Sequence, residues 1–197
     1  MTLEGTSPAE FINTLGFDAW VLDYTTIMNA SAPLYPTPIK EAIDTLAYIR
    51  SQKNLTKLGI WGFSAGGHLA GVILTAPENK INFGILAYPV ITMEGPYAHR
   101  GSALNLIGAN ATAELAFNMS VQNRVSNSTP PVFLFHTADD STVPIQNTLM
   151  FSEAMATYKR RFQMEILPNG KHGLGLAVDD PARSWTPGLK RFLKYSI

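Results

Sequence analysis

The sequence predicts an α/β fold, a mostly parallel sheet flanked by helices, from the order of its elements, and its composition and charge indicate how many domains and what kind of partner to expect. Short apolar runs of strand length alternate with longer segments of helical periodicity, the order that builds parallel sheets. Of 197 residues, 46% are hydrophobic, enough for one substantial core and a single domain over residues 1–197. The 15 Lys and Arg residues are balanced by 15 Asp and Glu residues, so the basic excess typical of nucleic-acid-binding proteins is missing.

The first half of the chain begins with a predicted helix at about 7–15 and a predicted strand at 18–24. A proline-rich loop follows, and a helix is expected at 38–53 because apolar residues recur there at helical spacing. These residues are Ile39, Ala42, Ile43, Leu46 and Ile49.

The second half repeats the alternation around one irregular stretch. Apolar runs predict strands at 57–62, 83–88, 131–136 and 162–167. Helices are expected at 64–76, 144–161 and 184–194. Every apolar run is interrupted by Gly, Pro or charge well before the length that spans a membrane. Strands alternating with helices predict right-handed crossovers.

Residues 92–129 are predicted to be a helix-poor insertion. Their apolar side chains could form a cap that lines an acyl or alcohol pocket, or they could form a plain packed connection. The sequence leaves both readings open.

The junction between the strand at 57–62 and the helix after it is the most informative motif. Gly62, Ser64 and Gly66 stand two residues apart, which fits a strained turn that lifts a nucleophilic hydroxyl out of a sheet. We expect a side chain at either glycine to collide with the neighbouring strand or helix. An ordinary glycine-rich turn is the alternative, but the strand before and the helix after favour a nucleophile.

The helix that starts at Ser64 directs its N-terminal amides and the positive end of its dipole toward developing negative charge. The backbone N–H of Ala65 is therefore a predicted oxyanion-hole donor.

A nucleophile in this kind of turn requires an acid next along the chain and a histidine last. Of the four histidines, only His172 follows the candidate acids. His68 is predicted to pack or cap in the helix after Ser64, His99 lies in an irregular stretch and His136 ends a strand. His172, in the loop after the strand at 162–167, is the predicted base.

The acid is expected at the carboxyl end of a strand, where α/β sheets gather their functional loops. Asp139 and Asp140 follow the strand at 131–136, and one of them would fix the tautomer of the histidine. The pair could equally be a solvated turn or a helix N-cap.

Several segments together resemble, in order and spacing, the BD-FAE-like esterase/lipase family of α/β-hydrolases, which includes acetyl-xylan-esterase-like enzymes. They are residues 62–70, 88–91, 99–102, 130–140 and 170–173. The resemblance implies an α/β-hydrolase fold with Ser64 as nucleophile, His172 as base and Asp140, rather than Asp139, as acid. It also implies a serine esterase that cleaves short-chain carboxylic esters, such as acetyl esters of carbohydrates, with no metal or organic cofactor.

The N-terminus departs from the family pattern. Members have further strands and a glycine-rich loop that supplies the second oxyanion donor, whereas Gly5 is the only glycine before Gly16. Without that donor, kcat is expected to fall by about 10²–10³. Either the strand at 18–24 shifts to pair with the strand at 57–62, or the chain is a truncated form of a longer enzyme.

Two other functions stay open. An amide hydrolase of formamidase or peptidase type would use the same residues, and an incomplete oxyanion hole would leave a folded but inactive binding domain. The sequence does not give the acyl length, the alcohol or the oligomeric state.

Signals for cellular location conflict. No apolar signal core begins the chain, which predicts an intracellular protein as written. Five Asn-x-Ser/Thr sequons, where composition predicts about two, have meaning only on a secretory route. They begin at Asn29, Asn54, Asn110, Asn118 and Asn127. A polar surface explains them equally, so secretion stays open if the N-terminus is incomplete.

Overall fold

Four parallel strands form the sheet in the computed structural model, which describes residues 2–197. They are β1 (Gly59–Phe63), β2 (Phe83–Ala87), β3 (Val132–Thr137) and β4 (Phe162–Leu167), and they lie side by side in chain order. Gly59 pairs with Phe83 in the first ladder, and Val132 pairs with Phe162 in the last. The predicted parallel sheet is therefore confirmed, with strand bounds within two residues of those expected.

Seven α-helices accompany the sheet within residues 2–197. They are α1 (Ser7–Asn13), α2 (Thr37–Gln52), α3 (Ser64–Leu74), α4 (Arg100–Ile107), α5 (Ala113–Met119), α6 (Gln146–Thr157) and α7 (Thr186–Tyr195). A π-helical turn forms Thr2–Thr6, and short 3₁₀ helices form Pro77–Asn79 and Val121–Arg124.

Helices cover both faces of the sheet, because successive side chains of a strand point to opposite faces. Leu86 and Leu134 pack with residues of α2, α3 and α6 in one apolar cluster. Phe133 and Phe135, their neighbours on the other face, pack with α1 and α7. Trp185 stacks on the Phe135 ring, with centroids 4.7 Å apart. Strands buried on both faces explain why β2 and β3 read as continuous apolar runs.

The predicted strand at 18–24 is wrong. Residues 17–26 form no strand, and β1 pairs only with β2 within residues 2–197. The proposed sideways pairing of 18–24 with 57–62 is therefore not found. Leu22 and Tyr24 pack against one core cluster and Phe17 and Ala19 against the other, so the segment is partly buried, but it has no neighbouring strand within residues 2–197 to complete its hydrogen bonds.

The predicted helix-poor insertion is also wrong, because α4, α5 and a 3₁₀ helix lie within residues 92–129. Side chains of this segment, Met93, Ile107 and Met119 among them, pack with Val90 and Val143 in a third apolar cluster. That cluster ties the insertion to the loops that leave the carboxyl ends of β2 and β3.

Candidate active site

A strained turn joins β1 to α3 and presents Ser64. Phe63 has extended backbone, whereas Ser64 has φ +50°, a left-handed conformation that is rare for a residue with a side chain. Such strain persists only where the surroundings enforce it, and it is concentrated at functional sites.

The glycines around Ser64 differ in how much room there is for a side chain. A Cβ on Gly62 would lie 2.2 Å from the carbonyl oxygen of Gly66, which no rotamer change relieves. A Cβ on Gly66 would meet only the hydroxyl of Tyr24, at 3.3 Å. The expected collision of a residue-66 side chain with a strand or helix is therefore wrong. The second forbidden position is Gly67, whose Cβ would lie 2.8 Å from Pro89, a contact the motif does not reveal.

The structure brings Ser64, His172 and Asp140 together from three loops at the carboxyl edge of the sheet. Ser64 Oγ lies 2.7 Å from His172 Nε2, and His172 Nδ1 lies 2.7 Å from Asp140 Oδ2. Nδ1–H donates to the carboxylate, which leaves Nε2 free to accept the serine proton. Ser64 and His172 are 108 positions apart in the sequence, and Asp140 and His172 are 32 apart, yet the three side chains form one hydrogen-bonded chain.

Asp140 is held as a carboxylate. Its Oδ1 accepts hydrogen bonds from the backbone N–H groups of Thr142 and Val143, and its side chain is 1% exposed. Burial acts to raise the pKa of Asp140, but the hydrogen bonds from His172 and from these two amides hold it below the ordinary value.

Asp139, the other candidate acid, does a different job. Its Oδ1 accepts the backbone N–H of Gly170 at 2.9 Å, and Thr137 Oγ1 donates to the carbonyl oxygen of Gly170 at 2.8 Å. Both contacts fix the start of the loop that bears His172. Asp139 therefore positions the base without touching it.

Tyr88 begins the segment 88–91 of the family resemblance, which assigns it no role, and its ring lies against His172. Their rings meet edge to face with centroids 5.1 Å apart. The Tyr88 hydroxyl donates to Glu4 Oε1 at 2.8 Å and accepts the backbone N–H of Gly175 at 2.9 Å. Burial, followed by the nearby Glu4 carboxylate, raises the pKa of Tyr88. A φ of +38° in a tyrosine after a buried strand leaves no signal in the sequence.

Within residues 2–197, the other three histidines make no hydrogen bond to Ser64 or His172. His68 is buried, its Nε2 lies 2.6 Å from the Met119 carbonyl oxygen, and burial lowers its pKa to about 4, in line with the predicted packing role. His136 is buried and bonds to the Val143 carbonyl oxygen, with its Nε2 also 3.4 Å from Asp140 Oδ2. His99 caps α4.

A cavity of about 220 Å³ adjoins the turn. Ala65, the predicted oxyanion donor at the start of α3, lines it together with residues of α4. Near the turn, residues 2–6 form a π-helical turn rather than a glycine-rich loop. The expected weakening of catalysis by a missing second donor stays a prediction.

Within residues 2–197, no group of three or more His, Cys, Asp or Glu side chains is arranged to hold a metal ion. None of the helices in that range combines the length and apolar character needed to cross a membrane.

Comparisons with known proteins bear on the family and the fold. The model of the prolyl oligopeptidase family matches residues 37–195, well over half of the chain. Endo-1,4-beta-xylanase B of Butyrivibrio fibrisolvens is 36% identical in an alignment of 197 positions that covers 91% of this chain and 31% of that protein. Acetylxylan esterase of Xylanibacter ruminicola is 31% identical in an alignment of 188 positions that covers 90% of this chain and 38% of that protein.

Among solved structures, an acetyl ester-xyloside bifunctional hydrolase from Caldicellulosiruptor lactoaceticus superposes with a TM-score of 0.83 at 34% identity. The match covers 95% of this chain and 75% of that one. The expected α/β-hydrolase fold is confirmed. This chain spans about a third of the length of the two curated relatives.

Proposed function

The chain belongs to the prolyl oligopeptidase family, and on that premise we propose that it is a serine hydrolase that cleaves carboxylic esters through an acyl-enzyme. The observation that carries the proposal is the continuous hydrogen-bonded chain from Ser64 Oγ through His172 to Asp140. Ester hydrolysis through an acyl-enzyme requires a nucleophile, a base and a carboxylate that orients the base, each in contact with the next.

The reaction follows from the geometry. His172 Nε2 takes the Ser64 proton while Oγ attacks the ester carbonyl carbon, and the oxyanion forms toward the Ala65 N–H. His172 then gives that proton to the departing alkoxide as the carbon–oxygen bond breaks. Water attacks the acyl-enzyme, His172 accepts its proton, and the proton returns to Ser64 as the acid leaves. Asp140 stabilises the imidazolium in both halves.

The substrates that fit best are short-chain esters, with acetyl esters of carbohydrates first. Two proteins similar to this chain over most of its length are named an acetylxylan esterase and an acetyl ester-xyloside bifunctional hydrolase. Acetyl esters also need no long acyl channel.

An active-site serine probe tests the proposal. We expect a fluorophosphonate to label the wild-type chain covalently, at Ser64 by peptide mass spectrometry, because a base 2.7 Å from Oγ activates the hydroxyl. Ser64→Ala should abolish labelling. Thr75→Ala is the matched control, since the Thr75 hydroxyl is buried at the C-terminal end of α3 and donates to the Gly71 carbonyl oxygen. A folded wild-type chain that never labels would refute the proposal and support an inactive binding domain.

Amide hydrolysis is the second candidate, and the family name is the observation that favours it. We expect kcat/KM for p-nitrophenyl acetate to exceed that for acetyl-alanyl-proline p-nitroanilide by at least about 10², because p-nitrophenolate leaves without a proton, whereas the anilide nitrogen must first be protonated by His172. A higher kcat/KM for the anilide would reverse the assignment.

A further inference from the structure

The cavity beside the turn has a polar wall built by α4. Ser102 and Asn105, one turn apart on the same face of the helix, both line it, and so does Ala65. The rest of the lining is mostly apolar but also includes Tyr24, Thr25, Thr26 and His68. The Thr25 hydroxyl already donates to Glu41, and His68 already bonds to the Met119 carbonyl oxygen. A few hydrogen-bonding side chains in a mostly apolar wall are the usual means of fixing a ligand's orientation.

His99 sets the direction of the Ser102 hydroxyl. The backbone N–H of Ser102 donates to His99 Nδ1, 3.3 Å away, so this nitrogen bears no proton. Ser102 Oγ lies 2.8 Å from the same nitrogen and must donate its hydrogen to it. With its hydrogen directed at His99, the Ser102 hydroxyl can offer a ligand only its lone pairs, as a hydrogen-bond acceptor. His99 is therefore a positioning residue, because it orients this acceptor in the cavity wall.

Asn105 supplies the complementary group. Its backbone oxygen accepts the N–H of Leu34, which ties this turn of α4 to the proline-rich loop. Its side-chain amide makes no hydrogen bond to any residue within 2–197, although it faces the cavity. The amide therefore has both donor and acceptor capacity left for a ligand.

No charge lines the cavity. Its lining includes no Asp, Glu, Lys or Arg, and His68 is neutral near pH 7 because burial lowers its pKa to about 4. Burial, and then the nearby His172, lowers the pKa of His99 as well. An uncharged ligand with hydroxyl groups matches this wall, whereas a carboxylate or ammonium group would be desolvated without a counter-charge.

We propose that Ser102 and Asn105 form a subsite for the sugar of an acetylated carbohydrate, with Ser102 Oγ accepting one sugar hydroxyl and the Asn105 amide bonding its neighbour. The inference rests on the proposed esterase function and deepens it, because it names the residues that hold the alcohol part of the ester. In this proposal, Ser102 and Asn105 of α4 favour sugar esters over simple esters, because only a sugar offers them hydroxyl groups.

Paired substrates test the subsite during turnover. The measured quantity is the ratio of kcat/KM for methyl 2-O-acetyl-β-xyloside to kcat/KM for p-nitrophenyl acetate. Each hydrogen bond to an uncharged group is worth roughly three- to tenfold, so Ser102→Ala and Asn105→Leu should each lower the ratio by that factor. Ser102→Thr, which keeps the hydroxyl, should restore most of it.

Leu104→Ala is the matched control, because this residue lies between the two on α4 and is 49% exposed. The control should leave the ratio unchanged. An unchanged ratio in both Ser102→Ala and Asn105→Leu overturns the proposal. The proposal is also overturned if the two variants gain activity on p-nitrophenyl hexanoate relative to p-nitrophenyl acetate and lose none on the xyloside. That result would identify the cavity as an acyl-chain pocket.

A binding measurement separates this proposal from the esterase assignment. Titration of Ser64→Ala with the acetylated xyloside, followed by protein NMR, should give shifts at Ser102 and Asn105, and adding Asn105→Leu should raise Kd three- to tenfold. A wild-type chain that hydrolyses no ester while this binding pattern holds refutes the esterase and keeps the subsite. Absence of binding to Ser64→Ala at millimolar sugar overturns the subsite.

Discussion

Asp140→Asn is expected to lower kcat for ester hydrolysis roughly 10⁴-fold. An amide nitrogen in place of Oδ2 would donate toward His172 Nδ1, 2.7 Å away. The imidazole would then have to bear its proton on Nε2, where it cannot accept the hydrogen of Ser64. Steady-state kinetics with p-nitrophenyl acetate measures the effect, and KM should change far less than kcat.

Asp139→Asn is the matched control. The amide oxygen of that variant can still accept the backbone N–H of Gly170, which is the only hydrogen bond of the Asp139 carboxylate in residues 2–197. We expect kcat to fall less than tenfold, the equivalent of one ordinary hydrogen bond. A larger loss in Asp139→Asn than in Asp140→Asn would exchange the roles assigned to the two residues.

Gly62→Ala is expected to lower the free energy of unfolding by about 3 kcal/mol or more, at the upper end of the cost of overpacking. The new methyl would lie 2.2 Å from the Gly66 carbonyl oxygen and 2.8 Å from the Ala70 Cβ. Relief requires α3 to move away from β1, which displaces Ser64. Urea unfolding monitored by circular dichroism gives the change, and failure to accumulate folded protein is the extreme form of the same result.

Gly66→Ala provides the comparison within one motif. Its added methyl would meet only the end of the Tyr24 side chain, at 3.3 Å, and alanine is favoured over glycine inside a helix by roughly 0.5–1 kcal/mol. We expect stability within about 1 kcal/mol of wild type. Equal destabilisation by the two substitutions would contradict the steric difference between these glycines.

Local patterns predicted the parts of the molecule that local physics determines. The apolar run before Ser64 and the small residues after it specify a strand, a tight turn and a helix without help from distant residues. The order of Ser64, Asp140 and His172 followed from the turn and the family resemblance. Their contact in space depends on three parallel strands ending at one edge, which the alternation of elements already implied.

Elements that depend on tertiary contacts were missed. Residues 18–24 are apolar enough for a strand but have no ladder partner in the structure. The insertion was read as helix-poor, although Thr112 caps α5 by accepting the N–H of Leu115, a signal the sequence did offer. The N-cap of α4 is His99. Histidine is not among the preferred capping residues, so the start of α4 is hard to predict from the sequence.

The contact between Tyr88 and Glu4 has a consequence for heat inactivation. The Tyr88 hydroxyl joins two residues 84 positions apart in the sequence. The same hydroxyl also accepts the backbone N–H of Gly175, three residues beyond His172. If the π-helical turn opens on warming, the Tyr88 hydroxyl loses its hydrogen bond to Glu4 while the sheet is still intact. Enzymatic function should therefore fade at a lower temperature than the cooperative melting of the core.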